Sequence, residues 1–281
     1  MDIVDVLRAE GTPVRAVVRP TADSAKREHI ASLGVEMVGA DLKDPASLRD
    51  ACQGVDVVIS TASASLSRQE GDSVETVDGQ GQLALVDAAA KARVRHFVFL
   101  SFAPIAQDCG LQRAKRAVEA RLQQGNMAFA ILHPAPFFEV WLSPVLGFAP
   151  AHGRARILGT GQRPVSWISK HDVARLAALA AAGGPFEGKV TPLGGPEALS
   201  TQQVLEIFEE LGAPKASLEH IPESVLEDQL ARATNSIEEA LAAFMLHVAR
   251  GLVVDSRPAQ ELLKAPLATV RDHARSALSI S

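Results

Sequence analysis

The chain has 281 residues, 47% hydrophobic and 22% charged, enough apolar content for a large core in a single α/β domain. Its 28 basic and 33 acidic residues leave a formal net charge of −5, and no Lys/Arg block marks a nucleic-acid or anionic-membrane footprint. It contains no tyrosine, which excludes chemistry that needs a phenolic acid or base from its own side chains.

Residues 3–10 read as an amphipathic helix with Ile3, Val6 and Leu7 on one face, Asp2 as its cap and Gly11 as its stop. Residues 14–18 (VRAVV) read as a buried strand that closes at Arg19-Pro20, followed by a helix at 22–33 and a short strand at 35–38. A helix at 45–52 has Pro45 at an early position, where a missing N–H does no harm, and 55–60 (VDVVIS) is another buried strand. A polar, Ser-rich loop at 62–76 precedes an alanine-dense helix at 77–92.

Residues 95–122 organise the rest. Phe97-Val98-Phe99-Leu100 has no polar alternation, the pattern of a strand buried on both faces of a parallel sheet. It ends at Ser101, and a helix follows with Val118 and Leu122 on one stripe and Lys115 among its residues. A further strand at 128–132 stops at His133-Pro134-Ala135-Pro136. This βαβα alternation calls for a doubly wound parallel sheet, in which ligands collect beyond the carboxyl ends of the strands, where Ser101 and Lys115 fall.

After Phe138 the character changes: 139–165 carries two Gly-rich turns and little periodicity. A helix at 171–182 and a last strand at 189–192 follow, and from Thr201 the pattern is helical at 201–211, 223–233, 236–249 and 267–278. Cys52 and Cys109 sit in no metal-ligand spacing, so no metal is expected and a reduced, cytoplasmic setting is the simplest inference. No signal-peptide pattern or bilayer-length apolar run is present, so a membrane is not an expected partner.

The segments VRAVVRP at 14–20, GADLKDPASL at 39–48, VDVVIS at 55–60, VRHFVFLS at 94–101, AKRAVEARL at 114–122, ILHPAPFFE at 131–139, VSWISKHDVA at 165–174 and LGGPEALS at 193–200 occur in one order. In that order they resemble the NmrA-like branch of the atypical short-chain dehydrogenase/reductases, over nearly the whole chain. The resemblance implies a Rossmann-like sheet with a smaller, mainly helical C-terminal lobe for substrate. The expected division is one NmrA-like domain over 1–281, with a dinucleotide-binding core at 1–138 plus about 165–195 and the lobe at 139–164 and 196–281. It implies NADP(H) as cofactor in preference to NAD(H).

Such a sheet ordinarily opens with an apolar strand and a glycine-rich turn against the pyrophosphate. This sequence opens inside the helix that would follow, and Gly79-Gln80-Gly81 opens no strand-to-helix turn. The strands at 14–18 and 55–60 would then lack a common neighbour. Direct pairing, a partner, or residues upstream of an incomplete chain would each answer this, the last being the expected one.

Carried over position by position, the resemblance sets Arg19 against the adenosine 2′-phosphate, with Lys26 assisting. A guanidinium at a strand's carboxyl end supports Arg19, since its planar fork matches phosphate oxygens. Asp41 and Leu42 match the segment bordering adenine, and Thr61 and Ala62 follow a strand where small residues let a cofactor pass. Ser101 falls at the serine of the active-site strand and Lys115 at the lysine of the YxxxK motif, whose tyrosine position holds Leu111. That departure leaves Lys115 either to move a proton, which requires a lowered pKa, or to hold ribose hydroxyls, the preferred role. His133 stands where many relatives carry arginine. Pro134, Pro136 and Phe137 would flank the nicotinamide, and Phe138, Trp141 and Trp167 are candidates for a substrate wall or for the core.

Three functions remain open at this level. One is an NADPH-dependent oxidoreductase acting on a small carbonyl or conjugated substrate. Another is a non-catalytic NADP(H)-sensing regulator, which the missing tyrosine favours. The last is a truncated chain that no longer binds dinucleotide. The expected partners are a small-molecule substrate and at most a second copy of the chain.

Overall fold

The computed structural model describes residues 2–65, 67 and 69–279, with Asp2 and Lys26 described by backbone alone. The chain opens with α1 (Asp2–Ala9), β1 (Arg15–Val18), α2 (Ser24–Ser32), β2 (Glu36–Gly39), α3 (Pro45–Cys52) and β3 (Val57–Ser60). Asp44 caps α3 by accepting the Ala46 N–H at 3.0 Å, with Pro45 at the first helical position. Ser73 and Thr76 then form a reciprocal capping box that starts a π-helix, Val74–Gly81, which runs straight into α4 (Gln82–Lys91). The helix therefore begins within what reads as loop in the sequence, and the two glycines of the Gly79-Gln80-Gly81 run lie inside it. Gly81 is needed for a close approach, since a Cβ there would lie 2.8 Å from Leu42 Cβ.

Next come β4 (His96–Leu100), α5 (Gly110–Gln123), β5 (Ala128–Pro134), α6 (Phe138–Trp141), β6 (Phe148–Ala149), β7 (Arg154–Leu158), α7 (Lys170–Ala181) and β8 (Lys189–Leu193). The chain continues through α8 (Thr201–Glu210), β9 (Ser217–Ile221), α9 (Glu223–Ala231), α10 (Ser236–Arg250), α11 (Arg257–Leu263) and α12 (Val270–Ser279). Two compact units result. One takes in the chain up to Ser101, Gly110–Leu132 and Ala174–Val190; the other takes in Phe102–Cys109, His133–Val173 and the chain from Thr191 onward.

The first unit is a Rossmann-like α/β unit. Its four-stranded sheet has the order β3-β4-β5-β8, and β4 runs parallel to both β3 and β5. Phe97, Val98 and Phe99 of β4 are fully buried, each stabilising by about 1.5–3 kcal/mol, and Phe97 and Phe99 share one core cluster with Leu48, Val86, Val118, Leu122 and Ile131.

Two strands differ from their reading as buried. β1 alternates, with Ala16 and Val18 inside and Val17 55% exposed, while Val57, Val58 and Ile59 of β3 are only half-buried. The reason is the pairing: β1 bonds only to β2, in a separate two-stranded parallel sheet, and β3 only to β4. Direct pairing of β1 with β3 therefore does not occur among the described residues, and each strand keeps one unpaired edge.

The second unit holds helices around a three-stranded sheet, β6-β7-β9, with β7 parallel to β9. This sheet and α11 are additions to the helical lobe that the sequence suggests. Phe138 and Trp167 are buried in its core beside Phe148, Ile157 and Phe208, and the Trp167 Nε1–H donates to the Leu199 carbonyl at 2.9 Å. They are core residues and not an open substrate wall; Trp141 packs at the margin of the same cluster. Among the described residues no helix is long and apolar enough to cross a membrane.

Candidate functional site

In the first unit Ser101 is the first residue past β4. Its backbone N–H donates to the Leu132 carbonyl at 2.9 Å, and its hydroxyl is buried with no hydrogen-bond partner among the described residues. A buried hydroxyl without a partner is costly and points to a ligand or water that completes it. Lys115 reaches the same strand end from α5, whose buried stripe is Leu111, Lys115, Val118 and Leu122. Leu111 is 3% exposed, so an apolar side chain fills the position one turn before the lysine.

The Lys115 Nζ lies 3.4 Å from the Leu100 carbonyl oxygen, 3.4 Å from Asp78 Oδ1 and 4.9 Å from the centre of the Phe99 ring. Burial pulls the Lys115 pKa below the ordinary lysine range, and the Asp78 carboxylate opposes that fall. Asp78 sits in the π-helix with its side chain fully buried, and its other oxygen accepts the Ala64 N–H at 2.9 Å. π-Helical turns recur where a side chain must be aimed at a site, and here the turn carries the counter-ion of Lys115.

Arg19 follows β1 directly and is engaged: its Nη1 donates to Asp72 Oδ2 at 2.6 Å. Lys43, beyond β2, takes Asp72 Oδ1, and the Ser67 hydroxyl donates to Asp72 Oδ2. The Asp72 side chain is 2% exposed, against 35% for Arg19 and 27% for Lys43. Burial alone would raise its pKa, but the hydrogen bonds from Lys43, Ser67 and Arg19 outweigh burial and hold it at about 2. The segment between β3 and α4 thus supplies one carboxylate to Arg19 and, six residues later, another to Lys115.

The remaining predicted residues have local roles or lie elsewhere. Lys26 is on α2, its side chain outside the described residues. Asp41 Oδ1 accepts the Lys43 N–H at 2.9 Å, an Asx turn leading into α3, and Leu42 is half-buried beside Gly81. Thr61 and Ala62 are exposed just past β3, where the fully buried Gln82 accepts the Ser60 hydroxyl and donates to the Ala62 carbonyl. His133, Pro134, Pro136 and Phe137 belong to the second unit, His133 and Pro134 buried and Phe137 bridged to Ile168. Sequence reasoning passed over Asp72, Asp78, Lys43 and Gln82; the Asp78–Lys115 distance in space left no signature in the chain.

The profile of the NmrA-like family matches residues 1–266. The chain belongs to the NmrA-like family. Photosystem II assembly factor Ycf39 of Trieres chinensis is 28% identical over 220 residues, covering 76% of this NmrA-like chain and 66% of the relative. The NAD(P)H azoreductase of Xenophilus azovorans is 30% identical over 207 residues, covering 72% of the chain and 66% of the relative. The chain thus spans about two thirds of the length of these relatives. Among solved structures, the triphenylmethane reductase of Citrobacter sp. in complex with NADP(H) shares the fold at a TM-score of 0.78 and 20% identity, covering 98% and 95% of the two chains.

Proposed function

We propose that this NmrA-like chain is an NADP(H)-dependent oxidoreductase acting on a small carbonyl or conjugated acceptor. The observation that carries the reading is the convergence of Arg19 and Lys43 on a single carboxylate just past β1, a pair of cations that fits a phosphate monoester such as the adenosine 2′-phosphate. The name of the Citrobacter complex and that of the azoreductase support the same cofactor class. When bound, the nicotinamide supplies or accepts the hydride.

The chain's own residues divide the remaining work. Lys115 has three N–H donors and meets two oxygens among the described residues, so one donor is left to hold a ribose hydroxyl. Asp78 keeps that ammonium in place. The Ser101 hydroxyl, without a hydrogen-bond partner among the described residues, is assigned to orient the acceptor oxygen. With Leu111 where a phenol would stand, the proton that follows hydride comes by way of Ser101 and solvent or from Lys115 itself.

A second reading, a non-catalytic NADP(H) sensor, is favoured by Leu111 and by the assembly factor among the relatives. Calorimetric titration with NADPH and NADP⁺, followed by NADPH oxidation with quinones, azo dyes and enones, separates them. Binding with turnover supports the oxidoreductase, binding without turnover supports the sensor, and no binding overturns both.

A further inference from the structure

We propose that Arg19, Lys43 and Ser67 form a binding site for a phosphate monoester dianion that Asp72 occupies from within, so that a 2′-phosphorylated cofactor must displace this carboxylate to bind. The inference deepens the NADP(H) reading and rests on it for the identity of the ligand.

The carboxylate is divided among its partners as a phosphate would be. Oδ1 is taken by the Lys43 ammonium, and Oδ2 accepts from the Arg19 guanidinium and the Ser67 hydroxyl. A phosphate monoester offers three oxygens and a charge near −2 to the same donors, against two oxygens and −1 for the carboxylate. Exchange is electrostatically favourable for such a ligand, and a ligand without the phosphate has nothing to offer these cations.

The contacts of residues 69 and 70 with the turns after β1 and β2 are of a kind that can open. The Thr21 hydroxyl donates to Gln69 Oε1 at 2.6 Å and the Lys43 Nζ lies 3.4 Å from the Glu70 carbonyl, both at exposed positions. Ala64, where the segment leaves β3, is fully buried, whereas residues 69–72 carry no apolar side chain. Residues 69–72 are therefore held to the turns after β1 and β2 by polar contacts, which water or a ligand can replace. Arg19 and Lys43 retain enough exposure to meet a ligand, whereas Asp72 itself is almost wholly covered.

Asp72 in this role is a selector as well as a latch. A 2′-phosphorylated dinucleotide is bound at the cost of breaking the Asp72 contacts, and its affinity is lowered by that competition. Removing the carboxylate should tighten such ligands and leave others alone. Removing Lys43 should weaken them, although Lys43 also anchors Asp72.

The test is calorimetric binding of NADPH, NADH, adenosine 2′,5′-bisphosphate and adenosine 5′-diphosphate to the full chain, as wild type, Asp72→Asn and Lys43→Ala, with circular dichroism to check folding. Asp72→Asn is expected to bind NADPH and the 2′,5′-bisphosphate about tenfold more tightly, with NADH and the 5′-diphosphate within about twofold of wild type. Lys43→Ala keeps Asp72 paired with Arg19 and Ser67, so it remains informative should Asp72→Asn not fold; it is expected to weaken the 2′-phosphorylated pair selectively. Equal or weaker binding of the bisphosphate by Asp72→Asn, or equal losses for all four ligands in Lys43→Ala, overturns the inference while the NADP(H) reading stands. If no dinucleotide binds any form but Asp72→Asn binds the bisphosphate, the cofactor reading fails and the anion site survives; if nothing binds, both fail.

Discussion

Replacing Lys115 with Met keeps the length and apolar stem of the side chain but leaves Asp78 Oδ1 buried without its cation. Lys115 and Asp78 have side-chain exposures of 5% and 0%, so solvent cannot take over. Two unit charges 3.4 Å apart interact by about 5 kcal/mol at an effective dielectric of about 20, and removing one partner of a buried pair costs about 3–5 kcal/mol. The double variant Asp78→Asn/Lys115→Met should recover most of that loss, because neither charge is left alone. Both tryptophans lie in the second unit, so intrinsic fluorescence reports the wrong half of the chain. Hydrogen exchange of the β4 amides, which belong to the strand beneath Lys115, is the suitable readout. A loss below about 1 kcal/mol for Lys115→Met, or strict additivity in the double variant, would refute a desolvated pair.

In Asp78→Asn, the Lys115 pKa should fall further, so the folded state favours the neutral amine and stability should rise as pH climbs toward the ordinary lysine value; a flat pH profile would contradict this. Asp72 works in the opposite range. Its folded pKa of about 2 lies below the ordinary aspartate value of 3.8, so its contribution is complete above about pH 4 and is lost as pH falls toward 2. The shift corresponds to about 2 kcal/mol, reduced to the order of 1 by the exposure of Arg19 and Lys43, and acid titration of wild type against Asp72→Asn measures it. Gly81→Ala would put a Cβ 2.8 Å from both Leu42 Cβ and the Thr76 carbonyl, costing about 1–3 kcal/mol, and an unchanged thermal midpoint would show that the π-helix can shift away.

Much of the first unit was legible because its strands are apolar runs and its helices begin at recognisable caps. The β4 run HFVFL announces burial on both faces, and Asp44-Pro45 announces the start of α3. The exposure of Val17 was not legible, because an apolar strand reads as buried whether or not a neighbour covers it. β7 and β9 were missed since RARIL and SLEHI carry charges on their open faces and only their pairing makes them strands. At the site, Lys115 reads from the helix after the central strand, and Leu111 from the motif position that the family resemblance supplies. Asp72 and Asp78 were not legible: Asp72 lies in a polar Ser-rich stretch that looks solvated, Asp78 at the start of a helix where acidic residues are ordinary, and only folding back onto β1 and β4 brings the two carboxylates to Arg19 and Lys115.

The most direct measurement is the affinity of NADPH and NADH for wild type and Arg19→Ala. Loss of one charge-assisted contact to the 2′-phosphate is expected to weaken NADPH about tenfold or more while NADH stays within about twofold. Equal losses for both cofactors, or unchanged NADPH binding, would contradict a cofactor phosphate at the end of β1.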